Sequence, residues 1–309
     1  MKGLDIAYRY YKEYGEEMIH SLFPEYEDRI AVGLVGGGSE CLGFDDELSR
    51  DHDFEAGFCL WITKEDERLF GFKLERAYSK LPKEFMGTVR QPLSPAGGNR
   101  HGVIVIEDFY GKYLGAPTAP DTLERWLYTP SATLRTASSG EVWRDDLGAF
   151  SSVRNVLKQG YPEDVRRKKL AAHLALAHQA GCYNYPRSLK RGDAGAAYLS
   201  LFEFVRHVIS ALYLINNEYE PFYKWAFRGL DPLRRLSYVK GLLLALLGED
   251  LSSEKKLSLV ENVCSSLTGE LKEQELSKAT CENLDTHAFS VLDSIKDSYL
   301  RNMHIMEGV

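Results

Sequence analysis

The chain has 309 residues, 44% of them hydrophobic and 12% aromatic, with a formal net charge of −7. That is enough for two domains with their own cores, and the acidic balance argues against a large nucleic-acid footprint, whose affinity comes mainly from neutralising phosphates. Five cysteines (Cys41, Cys59, Cys182, Cys264, Cys281) show no C-x-x-C spacing, which argues against a zinc knuckle or a disulfide framework and suits a reducing cytoplasm.

In chain order, residues 4–22 form an amphipathic pattern, with Leu4, Tyr8, Tyr11, Met18 and Leu22 near one helix face. No apolar signal-peptide core is visible there. "RIAVGLV" (29–35) reads as a strand and runs into the turn Gly36-Gly37-Gly38-Ser39 and a short helix-prone stretch. "DHDFEAGFCLWI" (51–62) reads as a second strand, and residues 64–82 as a helix closed by Leu81-Pro82. A loop with Pro92, Pro95, Gly97 and Gly98 leads to "HGVIVIEDF", a third strand. "ATLRTASSGEVWRD" (132–145) reads as a strand pair turning at Ser139-Gly140.

After Phe150 the strand signals stop and helical periodicity takes over. The clearest case is 196–217, where Tyr198, Leu201, Phe202, Val205, Ile209, Leu212 and Ile215 recur at three and four. The expected architecture is α+β: residues 1–150 as a mixed sheet with helices, and 151–309 as an all-helical domain completing a ligand cleft. The longest apolar run, Gly241 to Gly248, is too short to cross a bilayer, so no membrane partner is expected. From Ser151 to Gly192 nine Lys/Arg stand against two acids, a local +7. Such a block reads either as a wall for a polyphosphate, with Arg187 and Arg191 as contacts, or as a solvated face carrying "RRKK" (166–169).

Two features carry chemistry. Asp51 and Asp53 stand two apart on the second expected strand, so both side chains share a face. Two such carboxylates repel unless a cation lies between them, and hard oxygen ligands at an open site suit Mg²⁺ or Mn²⁺ with a bound triphosphate. The Gly36–Ser39 turn offers backbone amides, a hydroxyl and no bulk, which is what a phosphate cradle needs. There is neither a G-x-x-x-x-G-K-[ST] loop nor a G-x-G-x-x-G fingerprint.

Gly38-Ser39, eleven residues, then Asp51-His52-Asp53 resembles the signature of the polymerase-β-like nucleotidyltransferase superfamily, and Ser49-Arg50 resembles positions of its small-molecule, aminoglycoside nucleotidyltransferase-like branch. Residues 122–148, 185–193 and 212–230 resemble its uncharacterised members grouped as domain of unknown function 4037. His52 departs from the family's usual aliphatic residue. The resemblance implies that Asp51 and Asp53 hold Mg²⁺ and a nucleoside triphosphate, with ATP first among them. Gly38 and Ser39 would grip its β- and γ-phosphates, with Ser49 and Arg50 beside them. An acceptor hydroxyl would attack the α-phosphorus and pyrophosphate would leave. A third carboxylate is implied: Glu107 is preferred because Val103, Val105 and Glu107 would share a strand face, with Asp108 and Asp145 as alternatives. Lys224, after the helix-breaking Pro221, matches a family lysine that reaches the triphosphate, and Tyr223 beside it could stack on the base.

The expected activity is transfer of a nucleoside monophosphate to a hydroxyl of a small-molecule acceptor by a cytoplasmic monomer or homodimer. Transfer to a protein or tRNA is the variant. The alternatives are a nucleotide-binding protein that has lost transfer, and an RNA-directed activity from the R-x₅-H spacing of Arg167 and His173.

Overall fold

The structure is a computed structural model that describes residues 1–47, 56–90, 100–248 and 250–309. Met1–Asp121 and Ala132–Gln159 form one unit, and Thr122–Ser131 with Gly160–Val309 form the other. The first holds a mixed sheet, and the described residues of the second are helical, so the fold is α+β with a helical C-terminal region.

The first unit opens with helices α1 (Gly3–Tyr10) and α2 (Glu16–Leu22), joined without a break through a π-helical turn. Strand β1 (Ala31–Leu34) ends in the glycine turn, and α3 (Ser39–Leu42) follows. Strand β2 (Cys59–Ile62) leads through the Thr63 cap into α4 (Lys64–Asp66), a second π-helical turn and α5 (Phe72–Ser79). A two-residue hairpin, β3 (Glu84–Phe85) and β4 (Thr88–Val89), turns on Met86 and Gly87, both at positive φ. Strand β5 (Gly102–Val105) is followed at once by α6 (Ile106–Leu114). After α7 (Leu123–Tyr128), which belongs to the second unit, come α8 (Ser131–Ser138), β6 (Glu141–Arg144) and α9 (Ser151–Leu157).

The sheet runs β5-β2-β1-β6. β2 is antiparallel to β1, with Gly33 opposite Cys59, and parallel to β5, with Cys59 opposite Gly102. β1 pairs antiparallel with β6, Leu34 facing Glu141. All four β2 residues are buried because both faces of the sheet are covered. Val32, Leu60 and Ile62 meet Tyr10, Phe70 and Leu74 on one face. On the other, Trp61 stacks on Phe150 with ring centroids 4.0 Å apart and meets Phe109 edge-on.

Three expectations need correction. The strand expected over 51–62 begins, within the described residues, at Cys59. The third strand stops at Val105, where Glu107 and Asp108 enter the first turn of α6 and favour its positive end. The expected strand pair at 132–145 is a helix followed by one strand. In α8, Thr136 and Ser138 return their hydroxyls to the carbonyls of Ala132 and Leu134, and Leu134 and Ala137 are buried. Burial at i and i+3 outweighs the strand preference of the threonines.

In the second unit, α10 (Glu163–Ala177) passes through a π-helical segment, His178–Asn184, into α11 (Tyr185–Lys190). Helix α12 (Ala194–Ile215) is 22 residues long and apolar enough by composition to cross a membrane, yet 67% of that window is buried inside the protein. It packs against α10, as does α16. Helices α13 (Tyr223–Ala226), α14 (Val239–Leu247), α15 (Ser253–Glu273), α16 (Leu284–Asp293) and α17 (Ser298–Asn302) complete the unit.

Candidate functional site

The glycine turn sits at the C-terminal end of β1. Gly38 has φ +153°, and a Cβ there would lie 2.1 Å from Arg100 Nη2 and 2.4 Å from Glu40 Oε1. Only glycine lets these two side chains close over the turn. Arg100 Nη2 donates to the Gly37 carbonyl at 2.7 Å and pairs with the buried Glu40 carboxylate. Ser139 Oγ donates to the Gly36 carbonyl at 3.1 Å. Gly140, at φ +68°, backs the same strand end, where a Cβ would meet the Leu34 carbonyl at 2.0 Å. The guanidinium of Arg154, also buried, donates to the Gly140 carbonyl. The carbonyls of Gly36 and Gly37 are thus held by side chains, and the Gly37 amide is turned toward the Tyr113 hydroxyl at the cavity wall.

Beside the turn lies a cavity of about 540 Å³. Gly36, Gly37 and Arg100 line one part of it, and Asp108, Lys112 and Tyr113 of α6 another. Its floor is apolar, from Leu34, Val103 and Phe109. Cys41 also lines it, but burial pushes that thiol well up, and burial pushes neighbouring Cys59 up to about 12. Neither is a nucleophile.

Asp51, Asp53, Ser49 and Arg50 lie outside the described residues. Gly38 holds the turn as described. Ser39 is the first residue of α3, is buried, and does not line the cavity. Glu107 is displaced from the site. Its carboxylate accepts the Lys64 amide at 3.1 and 3.2 Å, capping the start of α4 just past the end of β2. The glycine turn instead follows Leu34, beside the start of β2, because β1 and β2 are antiparallel. Turn and Glu107 are therefore at opposite ends of the sheet, on the order of 15 Å apart at ~3.3 Å per strand residue. Asp108 lines the cavity and lies 3.9 Å from Lys64 Nζ, while Asp145 accepts the Ser151 amide at the start of α9. No cluster of three His, Cys, Asp or Glu side chains that could hold a metal occurs among the described residues.

The remaining candidates belong to the second unit. Lys224 and Tyr223 are exposed on α13, with Lys224 Nζ 5.4 Å from the Trp225 ring centroid. Arg187 lies over the Tyr183 ring, and Arg191 is exposed at the end of α11. The basic "RRKK" is neither a solvated face nor a phosphate wall. Arg166 donates to the Leu214 carbonyl at the end of α12 and to Glu163. Arg167 donates to Glu163 and Ser294. Lys168 and Lys169 are buried and donate to carbonyls of residues 304–308. Sequence alone gave no sign of this, because the acceptors are backbone atoms more than 130 residues away.

His173 does not join Arg167 in a shared site. Its Nδ1 lies 3.0 Å from Nδ1 of His207 on α12, and His207 Nε2 is 3.5 Å from Glu203. Burial holds His207 down to about 4 and His173 well below its usual value; Lys169 and Arg206 push the same way. A histidine with a depressed folded value stabilises the fold above its unfolded value of ~6.5, and that contribution is lost as pH falls toward 4. We expect urea unfolding to show a loss of up to about 3 kcal/mol from the pair between pH 6.5 and 4. His207→Leu should flatten that dependence, and an equally steep variant would refute the assignment.

A family model described as "Domain of unknown function (DUF4037)" matches residues 126–226, from α7 to α13. No protein of curated function matches the chain. Among solved structures, the chain aligns with the crystal structure of a nucleotidyltransferase-like protein from Exiguobacterium sibiricum. The identity is 13%, the alignment covers 92% of this chain and 81% of that one, and the TM-score is 0.37.

Proposed function

We propose that this protein is a nucleotidyltransferase that binds a nucleoside triphosphate, ATP first among the candidates, at the glycine-turn end of its sheet and transfers the nucleotide to a hydroxyl of a small acceptor. The observation that carries this reading is the turn itself: a glycine wedged under an Arg–Glu pair at a strand end, beside a cavity of about 540 Å³ that Gly36 and Gly37 line. The successive backbone amides of a glycine turn are suited to phosphate oxygens. Gly36 and Gly37 would bind the triphosphate, Arg100 would fix the turn's conformation, and Lys112 at the cavity wall would add positive charge. Asp51 and Asp53 are the proposed ligands for Mg²⁺, on the strength of the sequence motif. The metal would supply charge neutralisation at the phosphates. The family resemblance in the helical half favours a role for Lys224, Tyr223, Arg187 and Arg191 there, and they remain candidates.

The test is calorimetric titration with Mg·ATP and the other nucleoside triphosphates. Gly38→Ala should weaken binding ~10–100-fold, since the new methyl displaces the Arg100–Glu40 pair at a positive-φ position. Absence of triphosphate binding by the wild type would sink the proposal.

One observation favours a second reading, binding without transfer. Residues 91–105, which include β5 and the segment leading into it, contain no Asp or Glu, and Glu107 caps a helix at the far end of the sheet. A bound triphosphate with no pyrophosphate release toward any acceptor would select it.

A further inference from the structure

Of the five cysteines, two that are 82 residues apart meet in the second unit. Cys182 Sγ and Cys264 Sγ are 3.5 Å apart. Cys182 is exposed and sits in the π-helical segment between α10 and α11; Cys264 is 6% exposed in the middle of α15. The segment carrying Cys182 is pressed onto α12, since a Cβ on Gly181 would lie 2.3 Å from Phe204 Cδ2. That packing fixes where the Cys182 side chain points. Closing a disulfide needs the sulfurs to approach by about 1.5 Å, which a side-chain rotation can supply.

We propose that Cys182 and Cys264 form a reversible dithiol/disulfide pair that reacts with small-molecule disulfides. Cys182 is the attacking thiol, because it is the exposed one. The Cys264 S–H beside it holds its thiol below the ordinary value, while hydrogen bonding to Cys182 and burial push Cys264 up. In the first step the Cys182 thiolate attacks one sulfur of a disulfide R–S–S–R, forming Cys182–S–S–R and releasing R–S⁻. In the second, Cys264 gives up its proton to solvent and attacks Cys182 Sγ; the protein disulfide forms and the second R–S⁻ leaves. Two protein thiols are oxidised and one small disulfide is reduced to two thiols. The closed ring would staple the π-helical segment to α15 and enclose α11 to α14, the stretch bearing Arg187, Arg191, Tyr223 and Lys224. Cys41 and Cys59 are buried, and Cys281 is exposed, with the Asn283 amide holding its thiol below the ordinary value, so it can take a mixed disulfide of its own.

The test equilibrates the native full-length protein with excess glutathione disulfide, quenches in acid, and counts alkylatable thiols after unfolding. In the wild type the Cys182 and Cys264 thiols should both be lost with two hydrogens of mass, mapping should join their two peptides, and any further thiol lost should be Cys281 carrying glutathione. Cys264→Ser should accumulate a glutathione adduct at Cys182, and Cys182→Ser, at an exposed position, should leave Cys264 unmodified. Five free thiols, a stable adduct on wild-type Cys182 with Cys264 free, or a protein disulfide joining either of them to Cys281 would each overturn the proposal.

Discussion

Deleting residues 304–309 is expected to destabilise the protein by about 3–5 kcal/mol, the cost of leaving buried charges without partners. Lys168 is fully buried, and its ammonium donates to the carbonyls of His304, Ile305 and Glu307 at 2.8, 3.0 and 2.9 Å. Lys169 donates to the Gly308 carbonyl at 2.8 Å. The tail is held from its other side by Leu127, against which Gly308 packs, and by Tyr128 Oη donating to Glu307. Lys168→Met removes the charge together with its donors, so it should cost less, about 2–3 kcal/mol, through the orphaned carbonyls. Burial pushes both lysines down to about 8 from 10.5. The unfolded chain therefore binds more protons between those values, and stability rises with pH across that window. Lys169 should account for most of the rise. A neutral Lys168 has two N–H bonds for three carbonyls, so its acceptors oppose deprotonation. Denaturant unfolding of the truncated chain at pH 7 is the check. A change under ~1 kcal/mol would mean that the tail is an ornament and not the partner of these lysines.

The same lysines show where a sequence stops being legible. A helix period tells which positions share a face, and it was read correctly for Leu201, Val205, Ile209, Leu212 and Ile215, all buried in α12. It does not say what the polar face meets. Tyr198 and Phe202, placed on the same apolar stripe, are more than half exposed. "RRKK" is polar by composition and buried by tertiary contact, because backbone carbonyls of the tail form an acceptor nest that no side-chain pattern records. The glycine turn was legible, since glycine at a strand end marks backbone approach or positive φ, and Gly38 shows both. Arg100 was not, because its partners Gly37 and Glu40 lie sixty or more positions upstream and nothing in "GGNRHG" signals an ion pair. Glu107 was misplaced because the third strand was read on to Phe109, four residues past its end at Val105. A strand ending at Val105 instead of running on through Glu107 turns a carboxylate on a sheet face into a helix cap. The cysteine pair was invisible for a related reason, since spacing rules see only neighbours in sequence.

That boundary separates the two carboxylate roles and yields the sharpest expected difference between variants. If Asp53 holds the metal as proposed, Asp53→Asn should lower pyrophosphate release by at least ~10³-fold, because losing that charge would remove stabilisation present only as charge develops on the transferring phosphoryl. Asp51→Asn should behave alike, and the double variant should cost little more than either alone, since residues acting as one unit are not additive. Glu107→Gln should retain turnover within ~3-fold, because its carboxylate serves the Lys64 amide at the other end of the sheet; its cost should be ~0.5–1 kcal/mol of stability through the weakened cap. The measurement is pyrophosphate release with Mg·ATP and an acceptor library, alongside thermal unfolding of each variant. If Glu107→Gln falls as far as Asp53→Asn while remaining folded, the far end of the sheet takes part in chemistry and the site must be redrawn around α6. If neither variant changes a measurable wild-type rate, the paired aspartates do not hold the metal and the nucleotidyltransferase reading fails with them.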